Sequence, residues 1–461
     1  MTHHLPDFVI VLIFAGIYLF VFVLGEVIRR LVPSKPEIPR KAVHFASGLI
    51  ALSIPCFLKS HWWLLSLVAS FTVILALAQK KHLFESIFGV ERKSHGAILF
   101  PVTVYVLFVL STGNYILYFI PILIMTVSDT LAAVIGGRYG SIKFDVEGNK
   151  KSLEGSTTFF LIAFLCVHLS LLLMTDTSRI DSVMIAFVIA LLVTGFEAVS
   201  STGLDNFYVP LGTYYLLVKI MGSPFVVRVE HVTVLVLMAI MTTILSLKSK
   251  LLRTSGLIGM LLLNYAAWSL GDWSWLLPLL VAQVLLYALT LYFSEKVLAD
   301  ITGYQISVLF YSAVLPVTLL FALNTLGRHD VLYLPYLTSA IGQVLAMFYY
   351  FIINLAERNA PFTRWLKLHS LLASTIYCMI LTLVVATVPV TLFYSGNIYL
   401  ALLAVGSGSW MAMYLFSLFY DRLQLKDRRV LRQKVRLWCV AAAVVWVFAF
   451  QFVLRLPGKV L

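Results

Sequence analysis

The sequence predicts an all-α membrane protein, a polytopic bundle of about sixteen transmembrane helices with its amino terminus outside. Hydrophobic residues make up 61% of the 461 residues and charged residues only 12%, whereas soluble chains average about 25% charged. Apolar runs long enough to cross a bilayer as a helix recur from end to end. In this topology most of the 34 lysines and arginines lie in inside loops, as the positive-inside rule requires.

The predicted spans fall into two groups of eight. The first eight lie at about 8–28, 42–58, 62–78, 97–111, 115–135, 157–174, 182–198 and 207–222. The second eight lie at about 231–247, 256–270, 274–293, 306–324, 331–354, 368–393, 397–420 and 437–455.

The two groups differ in their polar residues, which predicts two domains, 1–222 and 223–461. Glycine-rich and basic loops follow several spans of the first domain. In the second domain every carboxylate falls in a predicted loop or at a span end. Its spans carry milder groups such as Asn264 and Gln283, which typically form hydrogen bonds between helices. We therefore expect the chemistry in the first domain and assign no role to the second.

One span of the first domain carries a carboxylate and leads into a basic, glycine-rich loop. Asp129 lies in the run 115–135, where an ionisable group costs about 3 kcal/mol and marks a functional site by default. A carboxylate can hold Mg²⁺, and unhindered backbone N–H groups beside cations bind phosphate. The alternative is that Asp129 is half of a buried ion pair. The residues of this loop that could bind phosphate are Gly136, Gly137, Arg138, Lys150 and Lys151.

A second cluster opens the span at 42–58. Pro39 suits the first turn of a helix, because its missing N–H would have no partner there. Arg40, Lys41 and His44 are then spaced three and four apart and share one helix face. The two cations alone would fit an ordinary positive-inside signal, but that signal does not require His44.

Two further clusters enter or leave spans on the same side. Ser152 follows Lys150 and Lys151, and it could either contact a ligand or cap the helix that begins there. Glu197 ends a span, and the next loop offers Asp205 and Asn206 without any lysine or arginine. Carboxylates and an amide suit metal or hydroxyl contacts, complementing the basic loops.

These clusters together resemble a known family. The segments RKAVHFASG, SDTLAAVIGGRYG, NKKSLEGSTTFF and EAVSSTGLDNFYVPL, in that order, are similar to the membrane-bound, CTP-using lipid-alcohol kinases. That family includes phytol kinase, dolichol kinase and the CTP-dependent diacylglycerol kinase of yeast. The resemblance covers about residues 38–215 and is nearest to the phytol kinase branch.

The resemblance implies transfer of the γ-phosphoryl group of CTP to the hydroxyl of a long-chain isoprenoid alcohol, with Mg²⁺. It assigns catalysis to Asp129, His44 and Glu197, and metal binding to Asp129 and Asp205. It assigns the nucleotide to Arg40, Lys41, Gly136, Gly137, Arg138, Lys150, Lys151, Ser152 and Asn206.

Two alternatives remain open on the sequence. One is a lipid nucleotidyltransferase of the phosphatidate cytidylyltransferase type, which shares part of the glycine and lysine pattern. The other is a transporter or flippase for an isoprenoid phosphate, favoured by the number of spans. For all three functions we expect a multi-pass membrane protein whose functional loops lie on the cytoplasmic face. We expect no nucleic-acid partner, and a homo-oligomer is compatible with the sequence.

Overall fold

The computed structural model describes residues 5–32, 37–81, 84–88, 95–248, 254–292, 306–356, 370–420 and 429–454. It divides the chain into two compact units, Met1–Leu235 and Val236–Leu461, and the division falls within a helix. This division lies later in the chain than the sequence-based boundary at residue 222. In a hydrocarbon environment helices satisfy all their own backbone groups, which suits a chain this apolar.

The amino-terminal unit consists of helices with one short hairpin. Its first helices are α1 (Asp7–Leu31), α2 (Glu37–Phe57), α3 (His61–Lys80), α4 (Glu85–Phe88), α5 (Gly96–Leu110), α6 (Tyr115–Leu123) and, after a π-helical turn (Ile124–Ser128), α7 (Asp129–Tyr139). After the strands β1 (Lys143–Val146) and β2 (Asn149–Ser152) come α8 (Leu153–Met174), α9 (Arg179–Val199), α10 (Asp205–Met221) and α11 (Phe225–Lys248).

The described part of the carboxy-terminal unit is helical. Its helices are α12 (Thr254–Tyr292), α13 (Ile306–Leu326), α14 (His329–Ala356), α15 (Ser370–Phe393), α16 (Ile398–Tyr420) and α17 (Arg429–Leu454). The chain reverses within α12 at Asp272, where φ is +66°, which separates the predicted spans 256–270 and 274–293. Across this reversal Asn264 and Gln283 exchange two amide hydrogen bonds of 3.0 and 2.7 Å, as expected of polar groups between helices.

The all-α membrane prediction is confirmed, and each predicted span overlaps a helix of the described chain. The count of sixteen spans is not confirmed. By length and composition, nine helices within the described ranges can cross a membrane. They are Asp7–Leu31, His61–Lys80, Tyr115–Tyr139, Leu153–Met174, Arg179–Val199, Phe225–Ile244, Leu309–Leu326, Ile398–Phe419 and Leu431–Leu454.

Small residues let the helices of the amino-terminal unit approach closely. A Cβ on Gly48 of α2 would lie 2.0 Å from Thr126 Oγ1, so α2 packs directly against the π-helical turn. A Cβ on Gly155 of α8 would lie 3.2 Å from the Ala132 carbonyl oxygen and 3.3 Å from Gly136 Cα. Ala132 and Gly136, four residues apart on α7, thus allow the close approach of α8.

The sequence predicted a loop where the structure has a β-hairpin. Strands β1 and β2 pair antiparallel, with Lys143 opposite Ser152 and Val146 opposite Asn149. The turn between them uses Glu147 and Gly148, both at positive φ, the conformation that a two-residue hairpin turn requires. The hairpin turns the basic loop into a defined element that leads directly into α8.

Candidate functional site

All thirteen residues that the sequence singled out line one cavity of about 1190 Å³ in the amino-terminal unit. They are Arg40, Lys41, His44, Asp129, Gly136, Gly137, Arg138, Lys150, Lys151, Ser152, Glu197, Asp205 and Asn206. They come from α2, α7, β2, α9 and α10, which are far apart in the sequence. The structure therefore brings the four clusters together, and the role of each residue is a separate question.

The π-helical turn positions the carboxylate of Asp129. A π turn holds one residue more than an α-helical turn and is frequent at functional sites. The carbonyl oxygen of Met125, within this turn, lies 3.1 Å from His44 Nε2. Asp129 follows immediately, and its Oδ2 lies 2.6 Å from Lys41 Nζ and 3.4 Å from His44 Nε2. The ion pair that the sequence offered as an alternative is thus present, and its cation is itself a predicted phosphate ligand.

A second lysine–carboxylate pair lies in the same cavity. Lys151 Nζ lies 2.7 Å from Glu197 Oε1 and also donates to the Glu197 backbone carbonyl, which ties the end of β2 to the end of α9. Both side chains are mostly buried. Glu197 is also close enough to Asp129 and Asp205 for their charges to interact. These three carboxylates all line the cavity, and lysines offset their mutual repulsion.

The excess charge in the cavity is positive. Four carboxylates line it, Glu37, Asp129, Glu197 and Asp205. Six cationic side chains line it, Arg40, Lys41, Arg138, Lys143, Lys150 and Lys151. Two positive charges in excess favour a polyanionic ligand.

Hydrogen bonds to two side chains, Ser152 and Glu154, fix the start of α8. Ser152 Oγ accepts a hydrogen bond of 3.2 Å from the Gly155 N–H, so the expected helix cap is confirmed. Glu154 accepts from the backbone N–H groups of Ser141 and Ile142 at 2.8 and 3.2 Å and fixes the loop ahead of β1. A ligand contact by Ser152 stays a prediction.

The two glycines of α7 have different surroundings. A Cβ on Gly136 would lie 2.8 Å from Ser152 Oγ and 3.1 Å from Gly155 Cα, so Gly136 is required for packing against α8. A Cβ on Gly137 would meet no protein atom within 4 Å, although Gly137 lines the cavity. Gly137 is therefore the position at which a ligand phosphate can approach the backbone.

This difference predicts opposite results for two alanine substitutions. Gly137→Ala is expected to preserve or raise thermal stability, since alanine favours a helix by about 1 kcal/mol over glycine. It is expected to raise the KM for nucleotide about tenfold, a loss of about 1.4 kcal/mol, through contact with the ligand. Gly136→Ala is the matched comparison and should lower the melting temperature. An unchanged nucleotide KM in Gly137→Ala would contradict the assigned role.

The start of α10 is fixed by Asn206. Its side-chain nitrogen donates to the Gly96 carbonyl at 3.0 Å, and its backbone carbonyl accepts from Thr103 Oγ1 at 2.8 Å. These bonds join α10 to α5 and place Asp205 at the cavity. A contact between Asn206 and the nucleotide stays a prediction beside this structural role.

The donor chemistry fits a magnesium ion carried in by a nucleotide. No group of three or more histidine, cysteine or acidic side chains suited to a metal ion occurs among the residues that the structure describes. Mg²⁺ in phosphate-transfer sites is held by one or two carboxylates together with substrate phosphates and water. Asp129 and Asp205 both line the cavity and supply the two carboxylates that this mode of binding uses.

The cavity also has an apolar part that sequence reasoning missed. We call it the apolar arm; it lies between α1, α2, α3 and α5 and is lined by Tyr18, Phe22, Ile54, Leu64, Leu67, Val68, Phe71, Leu75 and Val104. No signal in the sequence distinguishes these residues from the lipid-facing residues of the same helices. Their position around a cavity appears only when the helices are packed.

A comparison with known proteins gives one informative relative. The chain is 33% identical over 203 residues to the phytol kinase of Synechocystis sp.. The aligned part is 43% of this chain and 86% of that protein. No family model matches the chain, and no solved structure matches it. The likeness therefore spans most of the relative and leaves more than half of this chain without a counterpart in it.

Proposed function

Because this chain belongs to the phytol kinase family, whose members phosphorylate lipid alcohols, we propose that it transfers the γ-phosphoryl group of CTP to a long-chain isoprenoid alcohol. The products are CDP and the alkyl phosphate. A bond forms between the alcohol oxygen and the γ-phosphorus, and the bond from that phosphorus to the β–γ bridging oxygen breaks. The alcohol proton passes to a protein group.

One observation carries this proposal: a single cavity joins a charged end to an apolar arm. The charged end contains Asp129, Glu197 and the cationic side chains, whereas the apolar arm is lined by aliphatic and aromatic residues. A kinase acting on a lipid alcohol must hold a polyanion and a hydrocarbon chain with their reacting atoms adjacent. This cavity offers both environments within one enclosure.

The charged end has a group for each requirement of phosphoryl transfer, which depends on positioning and charge neutralisation. Arg40, Arg138 and Lys150 bind the nucleotide phosphates. Lys41 and Lys151 are released from Asp129 and Glu197 when the nucleotide enters, because the phosphates compete for their charge. Mg²⁺, when bound, neutralises phosphate charge, and Asp129 and Asp205 are the residues that would hold it.

Three groups can accept the proton of the alcohol: His44, Asp129 and Glu197. Since a carbonyl oxygen only accepts, His44 Nε2 donates to Met125, and in the neutral ring Nδ1 is then the proton acceptor. Asp129 Oδ2 lies 3.4 Å from the same ring and stabilises its protonated form. This arrangement favours a mechanism in which His44 and Asp129 act together.

The experiment that tests the proposed function is an assay of the purified full-length protein in detergent or nanodiscs. Geraniol, farnesol, geranylgeraniol, phytol and a polyprenol are each offered with CTP, ATP, GTP and UTP, with and without Mg²⁺. We expect an alkyl monophosphate with CTP and Mg²⁺. Absence of phosphorylated product with every pair would refute the proposal.

We further propose that the charged end opens to the cytoplasm, where CTP is available. The support is the positive-inside charge bias of the loops that surround it. Ser141 is exposed in one of these loops, and Thr202 is exposed in the loop between α9 and α10, which lines the cavity without any lysine or arginine. In a variant lacking the four native cysteines, a single cysteine at either position should react with an impermeant maleimide only from the cytoplasmic side. Labelling from the opposite side would reverse the assignment.

A further inference from the structure

We propose that Gly48 and Tyr118 are positioning residues, which fix α2 against the helix that carries Asp129 and thereby place His44 for its part in catalysis. This inference rests on the proposed function and adds two residues to its mechanism. Neither Gly48 nor Tyr118 lines the cavity, so any effect of either on the reaction must pass through another side chain.

Helix α2 and the helix that carries Asp129 lie side by side and run in opposite directions. α6, the π-helical turn and α7 are continuous from Tyr115 to Tyr139. Near the start of α2, Lys41 Nζ lies 2.6 Å from Asp129 Oδ2, whereas near its end the Leu52 carbonyl accepts a hydrogen bond of 2.9 Å from Tyr115 Oη. The two helices therefore stay close along eleven residues of α2, roughly 16 Å at 1.5 Å per residue.

A proline in α2 creates the acceptor that Tyr118 uses. Pro55 lies inside α2 and has no N–H, so the Ala51 carbonyl four residues earlier lacks its usual donor within the helix. Tyr118 Oη donates to this carbonyl at 2.8 Å, and Tyr118 is 0% exposed. Sliding α2 along α6 would leave both buried groups without a partner, which is unfavourable. The bond therefore fixes the position of α2 along its neighbour.

Gly48 sets the distance between the two helices. Even the Cβ of Thr126 lies only 2.7 Å from the position that a Cβ on Gly48 would take. Thr126 is 0% exposed, and its Oγ1 donates to the Ile122 carbonyl at 2.7 Å, so this side chain has no room to turn away. A side chain at position 48 must therefore push α2 away from the π-helical turn.

Such a displacement would act directly on His44. Gly48 follows His44 by four residues, so the two share one face of α2. Met125, whose carbonyl oxygen lies 3.1 Å from His44 Nε2, immediately precedes Thr126. Moving α2 away from Thr126 lengthens this contact and the 3.4 Å contact between His44 Nε2 and Asp129 Oδ2. The ring would then lose the acceptor that leaves Nδ1 free to take a proton.

The main test is Gly48→Ala, measured in the purified full-length protein with CTP, Mg²⁺ and phytol. We expect kcat to fall about 10²-fold, since a misplacement of about 1 Å can cost that factor. His44→Ala should lose at least as much, because general acid–base catalysis contributes about 10²- to 10⁴-fold. Adding Gly48→Ala to His44→Ala should lower kcat no further, since the group that Gly48 positions is then absent. Equal fold losses in the two backgrounds would show that Gly48 supports the fold alone and would overturn the proposal.

A second variant introduces no overlap and keeps the test decisive if Gly48→Ala fails to fold. Tyr118→Phe retains the buried ring and removes only the hydrogen bond to Ala51. It is expected to lower kcat about three- to tenfold, the factor that a net hydrogen bond is worth, and to have no effect in the His44→Ala background. An unchanged kcat in Tyr118→Phe would contradict the proposal.

Tyr214→Phe is the matched control for the loss of a phenolic hydrogen bond. Tyr214 Oη of α10 donates to the Leu110 carbonyl of α5 at 2.8 Å, within the same unit but away from α2. This variant should keep the wild-type kcat. A loss in Tyr214→Phe equal to that in Tyr118→Phe would show a general effect of helix packing and overturn the assignment to α2.

These outcomes are distinguishable from a failure of the proposed function. If the wild-type protein phosphorylates no alcohol, the kinase assignment is wrong. If the wild-type protein is active and His44→Ala is equally active, the kinase assignment holds and the positioning of His44 by Gly48 and Tyr118 is wrong.

Discussion

Asp129→Asn is expected to reduce turnover by about 10³-fold or more while the protein still inserts and folds. In the proposed mechanism the charge of this carboxylate would hold Mg²⁺ beside the nucleotide, and it would stabilise a protonated His44, whose Nε2 lies 3.4 Å from Asp129 Oδ2. Asparagine keeps an oxygen that can accept from Lys41, so the geometry of the 2.6 Å contact is largely preserved. The measurement is kcat with saturating CTP, Mg²⁺ and phytol.

The controls separate catalysis from the loss of an ion pair. Asp181 pairs with Arg228 outside the cavity, and these side chains are 20% and 15% exposed, close to the 17% and 15% of Asp129 and Lys41. Asp181→Asn therefore removes a comparable pair and should keep most of the activity. Removing one partner of a buried ion pair lowers the free energy of unfolding by about 3–5 kcal/mol, because the other charge stays buried without a partner. Adding Lys41→Met to Asp129→Asn removes that charge and should recover the stability. Activity of Asp129→Asn near the wild-type level would exclude a role in catalysis.

Lys151→Met is expected to produce the second large effect, a loss of about 10²- to 10³-fold in kcat/KM for CTP. Lys151 is the cation paired with Glu197, and the proposal requires it to neutralise phosphate charge in the transition state. Since this charge develops during transfer, kcat should fall together with any rise in KM. Lys151→Arg keeps the charge but not the geometry and should recover part of the activity.

Lys59→Met is the matched control, because Lys59 is exposed in the loop between α2 and α3 and does not line the cavity. In Lys151→Met the Glu197 carboxylate is left buried without its cation. The Lys151→Met/Glu197→Gln variant removes that charge, and recovery of activity in it would show that the loss in Lys151→Met follows from misfolding. A well-folded Lys151→Met protein with an unchanged kcat would show that the Lys151–Glu197 pair is structural alone.

The sequence could predict the charged end of the cavity because ionisable residues are rare in membrane spans. Asp129 and His44 are noticeable there, and loop charge bias assigns their clusters to one face. The sequence could not show which residues of a cluster pack against a helix and which line the cavity. Gly136 and Gly137 are adjacent and chemically identical, yet one packs against α8 and the other faces the cavity. Such a distinction depends on the packing of two helices.

The π-helical turn and the apolar arm were beyond sequence reasoning for related reasons. The residue types of the run Ile124–Ser128 do not distinguish a π-helical turn from a regular helical turn. Apolar residues in a membrane protein face lipid as readily as a core, so periodicity does not separate Val68 from Val73. The number of spans is a separate matter: nine helices of the described chain are long and apolar enough to cross a membrane, and the count of sixteen stays a prediction.

Phosphoryl transfer from CTP to an isoprenoid alcohol can be followed with two labels. Purified full-length protein is incubated with phytol, Mg²⁺ and CTP labelled at either the α- or the γ-phosphorus. We expect γ-label in phytyl monophosphate and α-label in CDP. Label from the α-phosphorus in the lipid, with γ-label in pyrophosphate, would instead identify a nucleotidyltransferase and refute the kinase assignment.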